Sequence, residues 1–378
     1  MNNEKMHWTA VWGNAASIAE NRPEGYAKNI TLRYPIYVPF GGKALRLTFD
    51  NYCGTEPITI EKTTVRIGGV FHTVTFENSE RVTIDSGKNA VCDPISCDIA
   101  SDSTVDISFY LKDFTQMRSA VSTYGPLSKG DYALGDLVSA DVFPKEITKS
   151  APFCYFLSNV SVYTEEKNRA IVCYGDSITA QSFPEELMLY CKKNGVDDTA
   201  IVRRAVSGSR ILREYSCISY ESYGLCGEKR FPHEVPTDGA DTVLILQGIN
   251  DIIHPVGTDV NPFRPMSDLP TAEELIGGLK DYIAKARSYG YKVYVGTLLP
   301  IDGWRTYAPF REELRTAYNE WIRSTTLIDG YVDFDAALCD PDNKNALLPK
   351  YDSGDHLHPS RAGARVMAQE AAKILFGI

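Results

Sequence analysis

The chain has 378 residues, enough for two domains each burying a sizeable core, and 49 acidic against 39 basic side chains give it a formal net charge of −10. That balance repels nucleic acid and anionic membranes, so neither is expected as a partner, and it suits a neutral small-molecule or oligosaccharide substrate. No apolar run is long enough to span a bilayer, and residues 1–8 lack the apolar centre of an export leader, so a cytoplasmic location is expected; an exported chain trimmed of its leader would read the same.

Residues 1–165 predict short alternating strands broken by turn residues. Leu45, Leu47 and Phe49 share one face, followed by Val74 and Phe76, Val82 and Ile84, and Val105, Ile107 and Phe109. Apolar residues at period two predict an antiparallel β-sandwich. Two further runs, 153–157 and 160–162, close it, and Trp8 and Trp12 pack inside it. The polar stretch Thr164-Glu165-Glu166-Lys167-Asn168 has no apolar spacing, and the boundary between an accessory domain (1–165) and a second domain (166–378) is placed there.

From Arg169 onward, apolar strands alternate with helices. Pro184-Glu185-Glu186 opens a helix with Leu187, Tyr190 and Cys191 on one face, which Asn194-Gly195 ends. Thr271-Ala272-Glu273-Glu274 is a capping box whose helix turns Leu275, Leu279 and Ile283 inward as far as Gly290. Strands are expected at 292–295 and 330–334, with a helix between them around 312–322 and a last helix at 360–376. This alternation predicts a doubly wound parallel α/β sheet, in which reactive groups gather beyond the carboxyl ends of the strands. Segments 214–236 and 254–270 lack regular apolar spacing and are expected as long loops that shape a substrate pocket.

Four segments carry chemistry. The run Ile171-Val172-Cys173-Tyr174 stops at Gly175 and delivers Asp176-Ser177, so a sharp turn exposes Ser177 at a helix start whose free N–H groups favour negative charge. A neutral serine hydroxyl needs a base. Asp355 stands three residues before His358, a spacing at which the carboxylate can orient the ring; His356, with Asp352 four residues before it, is the local rival. Gly208, after the strand at Ile201-Val202, and Asn250, after the strand 242–246, are candidate donors to an oxyanion together with the N–H of Ser177. Asp176 and Asp251 are expected to hold the turns beside Ser177 and Asn250. His254, Trp304 and Tyr307 are candidate substrate contacts, the two aromatics as stacking platforms for a sugar. Nine cysteines, none in a CxxC pair, with Cys154 and Cys173 in apolar runs, are expected to be reduced and mostly buried. The scattered ligand types predict no metal site, and the chemistry needs no cofactor.

Taken in order, these segments resemble the SGNH (GDSL-type) hydrolase superfamily, whose blocks carry Ser, Gly, Asn and His. The resemblance covers the chain from about Arg169 to its end. It implies a flavodoxin-like sheet of about five strands, Ser177 as nucleophile with Asp355 and His358 completing a triad, and Ser177, Gly208 and Asn250 as the oxyanion hole. Upstream, Gly41-Gly42-Lys43-Ala44-Leu45-Arg46-Leu47, Asn51-Tyr52-Cys53-Gly54-Thr55-Glu56-Pro57 and Cys92-Asp93-Pro94 look like the jelly-roll-like β-domain that precedes some of these esterases. Many relatives have Asn and Gly where this chain has Arg203 and Ala205. The resemblance implies hydrolysis of short O-acyl esters, O-acetyl on carbohydrates first. Apart from the resemblance, the chain leaves room for a homo-oligomer without determining the oligomeric state. Two alternatives stand beside it: a lipase-like or thioesterase-like relative, and an inert carbohydrate-binding protein.

Overall fold

The computed structural model describes residues 5–15, 17–18, 25–122, 124–215 and 223–378. The chain packs as two compact units, one of Met1–Ala170, Asp197–Val202 and Thr237–Gly239, the other of Ile171–Val196, Arg203–Pro236 and Ala240–Ile378.

The first unit is built of antiparallel strands. One sheet runs Met6–Gly13, Leu157–Glu165, Gly42–Asp50, Ile95–Ile99, and Asn89–Val91 also pairs with Gly42–Asp50. The other runs Thr148–Ser150, Asp131–Leu134, Ile30–Val38, Ser103–Leu111, Lys62–Ile67, Val70–Thr73. Leu45, Leu47 and Phe49 from the first sheet, and Val105, Ile107 and Phe109 from the second, are fully buried. Phe49 and Phe109 meet edge to face at 5.0 Å, so the core lies between the two sheets. Burial of side chains of this size stabilises the unit by about 1.5–3 kcal/mol each.

Three details depart from the sequence pattern. Val74 and Phe76 are buried but lie outside the regular strands, Phe76 only bridging to Ser79. Residues 157–165 form one continuous strand lying between two others rather than a closing edge, and the preceding Phe156 breaks the run with a left-handed φ of 61°. Thr164 and Glu165 therefore belong to this strand, paired with His7 and Met6, because the ladder satisfies polar residues as readily as apolar ones. Trp8 is half-buried, its ring 5.4 Å from that of Tyr163 and beneath the Arg46 guanidinium at 4.5 Å.

From Arg169 onward the chain forms a parallel sheet of five strands, β1 (Arg169–Gly175), β2 (Thr199–Ala205), β3 (Ala240–Leu246), β4 (Lys292–Gly296) and β5 (Gly330–Val332), in the order β2-β1-β3-β4-β5. Ile171–Tyr174 and Val243–Leu246 are buried throughout, as strands covered on both faces must be. Helices α1 (Ser177–Ala180), α2 (Phe183–Lys193), α3 (Gly227–Glu234), α4 (Ile249–Ile253), α5 (Ala272–Ser288), α6 (Pro309–Ser324), α7 (Phe334–Leu338) and α8 (Arg361–Phe376) connect and flank the strands. The capping box forms as expected, Thr271 accepting from the Glu274 N–H and Glu274 reaching back to the Thr271 N–H. The last strand is shorter than the apolar run suggests, because the Asp333 side chain accepts from the Ala336 N–H and starts α7.

Segment 214–236 contains α3 rather than loop alone; the remainder of its aromatic stretch, residues 216–222, lies outside the described residues. Pro232 inside α3 disguises it in the sequence. No helix among the described residues is long and apolar enough to cross a membrane. The eight described cysteines form no disulfide with one another and six of them are buried, and no described group of His, Cys, Asp and Glu could hold a metal ion.

Candidate active site

Ser177 is placed by the backbone path at the end of β1. A side chain at Gly175 would lie 2.4 Å from both the Leu246 carbonyl oxygen and the Thr179 hydroxyl, so only glycine permits β1 to pass this close to β3 before turning into α1. Asp176 caps α1, accepting from the Ile178 N–H at 3.0 Å. Its burial is complete, and desolvation pushes its carboxyl up to about 7.

The base comes from the loop before α8. His358 Nε2 lies 2.8 Å from Ser177 Oγ, and His358 Nδ1 lies 2.6 Å from Asp355 Oδ2. The other Asp355 oxygen accepts the N–H groups of Leu357 at 3.1 Å and His358 at 2.9 Å. Partial burial pushes the Asp355 carboxyl up, but the ring and backbone donors of His358 outweigh it and hold the group below its ordinary pKa. A charged Asp355 keeps the proton on Nδ1 and leaves the Nε2 lone pair facing the serine. His356 goes elsewhere. Its left-handed φ of 64° turns the chain, and its Nδ1 pairs with Asp352 at 2.7 Å on the surface.

The donor groups follow β2 and β3. Gly208 adopts φ 80°, and a Cβ there would stand 2.2 Å from the Tyr223 ring, so both conformation and space require glycine. Asn250, in α4, donates one amide hydrogen to the Ser209 carbonyl at 3.0 Å, which orients its amide. The N–H groups of Ser177 and Gly208 donate to no acceptor among the described residues.

Residues the motif does not include lock these loops together. Asp251 holds not its own turn but the loop after Gly208, accepting from the N–H groups of Ile211 at 2.8 Å and Leu212 at 3.0 Å. The Ser209 hydroxyl accepts from Arg230 at 2.7 Å and from Gln247 at 3.1 Å, joining the second and third segments. Arg230 is fully buried, paired with Glu234 at 2.7 Å, and its guanidinium lies 4.9 Å from the centre of the Tyr174 ring. Arg203, at one of the positions that departs from the relatives, reaches Glu185 at 3.3 Å and the Gln181 carbonyl at 3.3 Å, bracing the end of α1 against α2. The Arg-Phe-Pro-His-Glu sequence around Arg230 carries one usable signal, an Arg and a Glu four residues apart; Pro232 conceals it.

The three candidate substrate contacts are placed differently. His254 is buried; its Nδ1 pairs with the Tyr215 hydroxyl, and its ring stacks on Tyr223 at 5.3 Å. Burial pushes its pKa down, and the charges of Arg264, Arg210, Arg305 and Arg311 push it further, so the ring is neutral. Trp304 is half-buried with its ring 6.4 Å from that of His358, at 86°. Tyr307 is half-buried on the same loop, its N–H donating to the Trp304 carbonyl at 2.7 Å.

The sequence of residues 173–366, which includes every one of these groups, matches the GDSL-like lipase/acylhydrolase family. The chain belongs to that family. The acylhydrolase match runs from within β1 into α8 and leaves residues 1–172, with the antiparallel sheets, outside it. Among solved structures, this acylhydrolase is similar to a GDSL-like lipase from Bacteroides thetaiotaomicron VPI-5482, at 20% identity over 56% of this chain and 90% of that one, with a TM-score of 0.38. It is also similar to an acetylxylan esterase from Geobacillus stearothermophilus, at 17% identity over 56% of this chain and 96% of that one, with a TM-score of 0.41. No curated protein matches it in sequence.

Proposed function

We propose that this acylhydrolase is a serine esterase that removes short O-acyl groups, O-acetyl first, from carbohydrates. The observation that carries this reading is the unbroken relay from Ser177 Oγ through His358 to Asp355. In it, His358 Nε2 takes the Ser177 proton as the oxygen attacks the ester carbonyl. The tetrahedral oxyanion then receives hydrogen bonds from the Ser177 and Gly208 N–H groups and the Asn250 amide, stronger here than in the ground state. Collapse expels the alcohol, to which His358 returns the proton. Water repeats the cycle on the acyl-enzyme and releases the acid.

The preference for a short acyl group rests on the wall beside Gly208. The Tyr223 ring sits against the Cα of Gly208 and is backed by the neutral His254, which Tyr215 holds in turn. This aromatic stack opposes an extended chain at the oxyanion donors. The sugar side is supported by the half-buried indole of Trp304 next to His358.

The test is acetate release from acetylated oligosaccharides, beside p-nitrophenyl esters from acetyl to octanoyl. Ser177→Ala is expected to abolish turnover with the melting temperature almost unchanged, and kcat/KM is expected to fall steeply beyond butyryl. Activity within tenfold of the parent in Ser177→Ala refutes the nucleophile. A maximum at octanoyl favours the lipase-like alternative.

A further inference from the structure

Arg305 is held at the edge of the relay by its two neighbours in sequence. Trp304, before it, packs at right angles to the His358 ring; Thr306, after it, donates its hydroxyl to the Ile253 carbonyl at 2.8 Å, at the end of the helix that carries Asn250. The backbone between the base and the oxyanion helix is thus pinned on both sides. Arg305 itself is exposed, and its guanidinium lies over the Trp304 ring at 4.5 Å. A guanidinium stacked on an indole keeps its edge N–H groups free, with the planar fork set for a bidentate acceptor.

Among the described residues, no protein group fills that fork. Arg305 has no carboxylate partner among the described residues, although acidic side chains outnumber basic ones in the chain. Other cations of this unit are satisfied: Arg213 by Glu274, Arg287 by Asp329, Lys229 by Glu214. The same edge has further positive charge without a counter-ion among the described residues. There, Arg311 is buried and bonds to the Ile252 and Pro255 carbonyls and the Met266 sulfur, and the positive end of the 16-residue helix α6 begins at Pro309. Burial first, and then the charges of Arg264, Arg210, Arg305 and Arg311, hold the neighbouring His254 ring neutral. Of the carboxylates beside the relay, Asp302 accepts from Asn343, Asp352 pairs with His356 and Asp355 with His358, which leaves the Arg305 fork open to attract an anionic group and hold it by charge-assisted hydrogen bonds.

We propose that Arg305 is a specificity-determining residue that selects saccharide esters bearing an oxyanion group, a carboxylate or a sulfate, close to the scissile acyl group. The inference rests on the esterase reading above and replaces a neutral sugar with an acidic one as the preferred substrate.

The experiment compares acetate release from an O-acetylated galacturonate oligosaccharide, its carboxyl-methylated neutral counterpart and a sulfated neutral-sugar counterpart. The acidic substrate is expected to have a kcat/KM about tenfold above the neutral one, carried by KM and shrinking as salt rises. The ratio is expected to fall to near one in Arg305→Gln and to persist in part in Arg305→Lys, while Arg81→Gln, an exposed change in the antiparallel unit, leaves it as in the parent. Which of the acidic pair is preferred identifies the group. A ratio near one in the parent, or a ratio unaltered in Arg305→Gln, overturns the proposal while leaving the esterase reading intact. The Ser177→Ala protein, titrated calorimetrically with the same compounds, reads selection without turnover. If no ester is hydrolysed the esterase reading fails, and equal affinity for the charged and neutral compounds in that titration overturns the Arg305 proposal independently.

Discussion

A histidine serves as base to Ser177 only if one ring nitrogen accepts while the other is held as a donor. His358 meets both conditions and His356 meets one: it has a carboxylate, Asp352, but the relay to Ser177 is made by its neighbour two residues on. His358→Ala is accordingly expected to lower kcat by about a thousandfold or more, the scale seen when a triad base is removed, and His356→Ala by less than about tenfold. Turnover numbers for the two variants on one acetyl ester decide the matter, and the opposite order would transfer the role to His356.

At the scale of the element, the site is three strand ends tied to one another. Arg230, in α3, bonds to the Ser209 hydroxyl and pairs with Glu234, with neither side chain more than 2% exposed. Arg230→Met would remove the guanidinium from the buried Glu234 carboxylate beneath the loop that carries Gly208. Removing one partner of such a pair costs about 3–5 kcal/mol. Chemical denaturation is expected to show that loss, and the double variant Arg230→Met with Glu234→Leu to recover most of it, since no unpaired charge then remains buried. A loss below about 1 kcal/mol in the single variant would mean that the pair is not isolated from water. The neighbouring Asp251 works in the same way across 40 residues of sequence: two backbone N–H groups of the Gly208 loop end on its carboxylate.

For the whole molecule, two buried carboxyls beside the site set a pH dependence of stability. Desolvation pushes Asp176 up to about 7 and Asp251 up to about 6, whereas an unfolded Asp ionises near ~3.9. The folded chain therefore binds more protons than the unfolded chain between these values. Their contribution to stability is complete below about pH 4 and is lost as the pH rises through 6 and 7. Asp176→Asn keeps the side-chain oxygen that caps α1 and removes the titration. Relative to the parent, this variant is expected to gain stability from pH 5 to about pH 7 and to level off by pH 8, as read by melting temperature across that range. A constant difference between the two proteins would show that Asp176 is ionised throughout.

Periodicity and local turn chemistry alone determined the two-part plan of strands followed by alternating strands and helices, the capping box at Thr271 and the positions of Ser177, Gly208, Asn250, Asp355 and His358. These signals are local: a glycine at the end of an apolar run, or a carboxylate three residues before a histidine, says what the backbone does within one turn. Tertiary structure alone decided what lies across space. It brought His358 Nε2 to Ser177 Oγ, turned His254 from an open contact into a buried neutral wall, moved Asp251 from its own turn to the Gly208 loop and built α3 around a proline. It also left Arg305 on Trp304 without a carboxylate. The placements of His254 and Asp251 depend on partners tens of residues away, and the energy that selects them, desolvation of a charge or closure of a hydrogen bond, exists only once the sheet has brought its strand ends together.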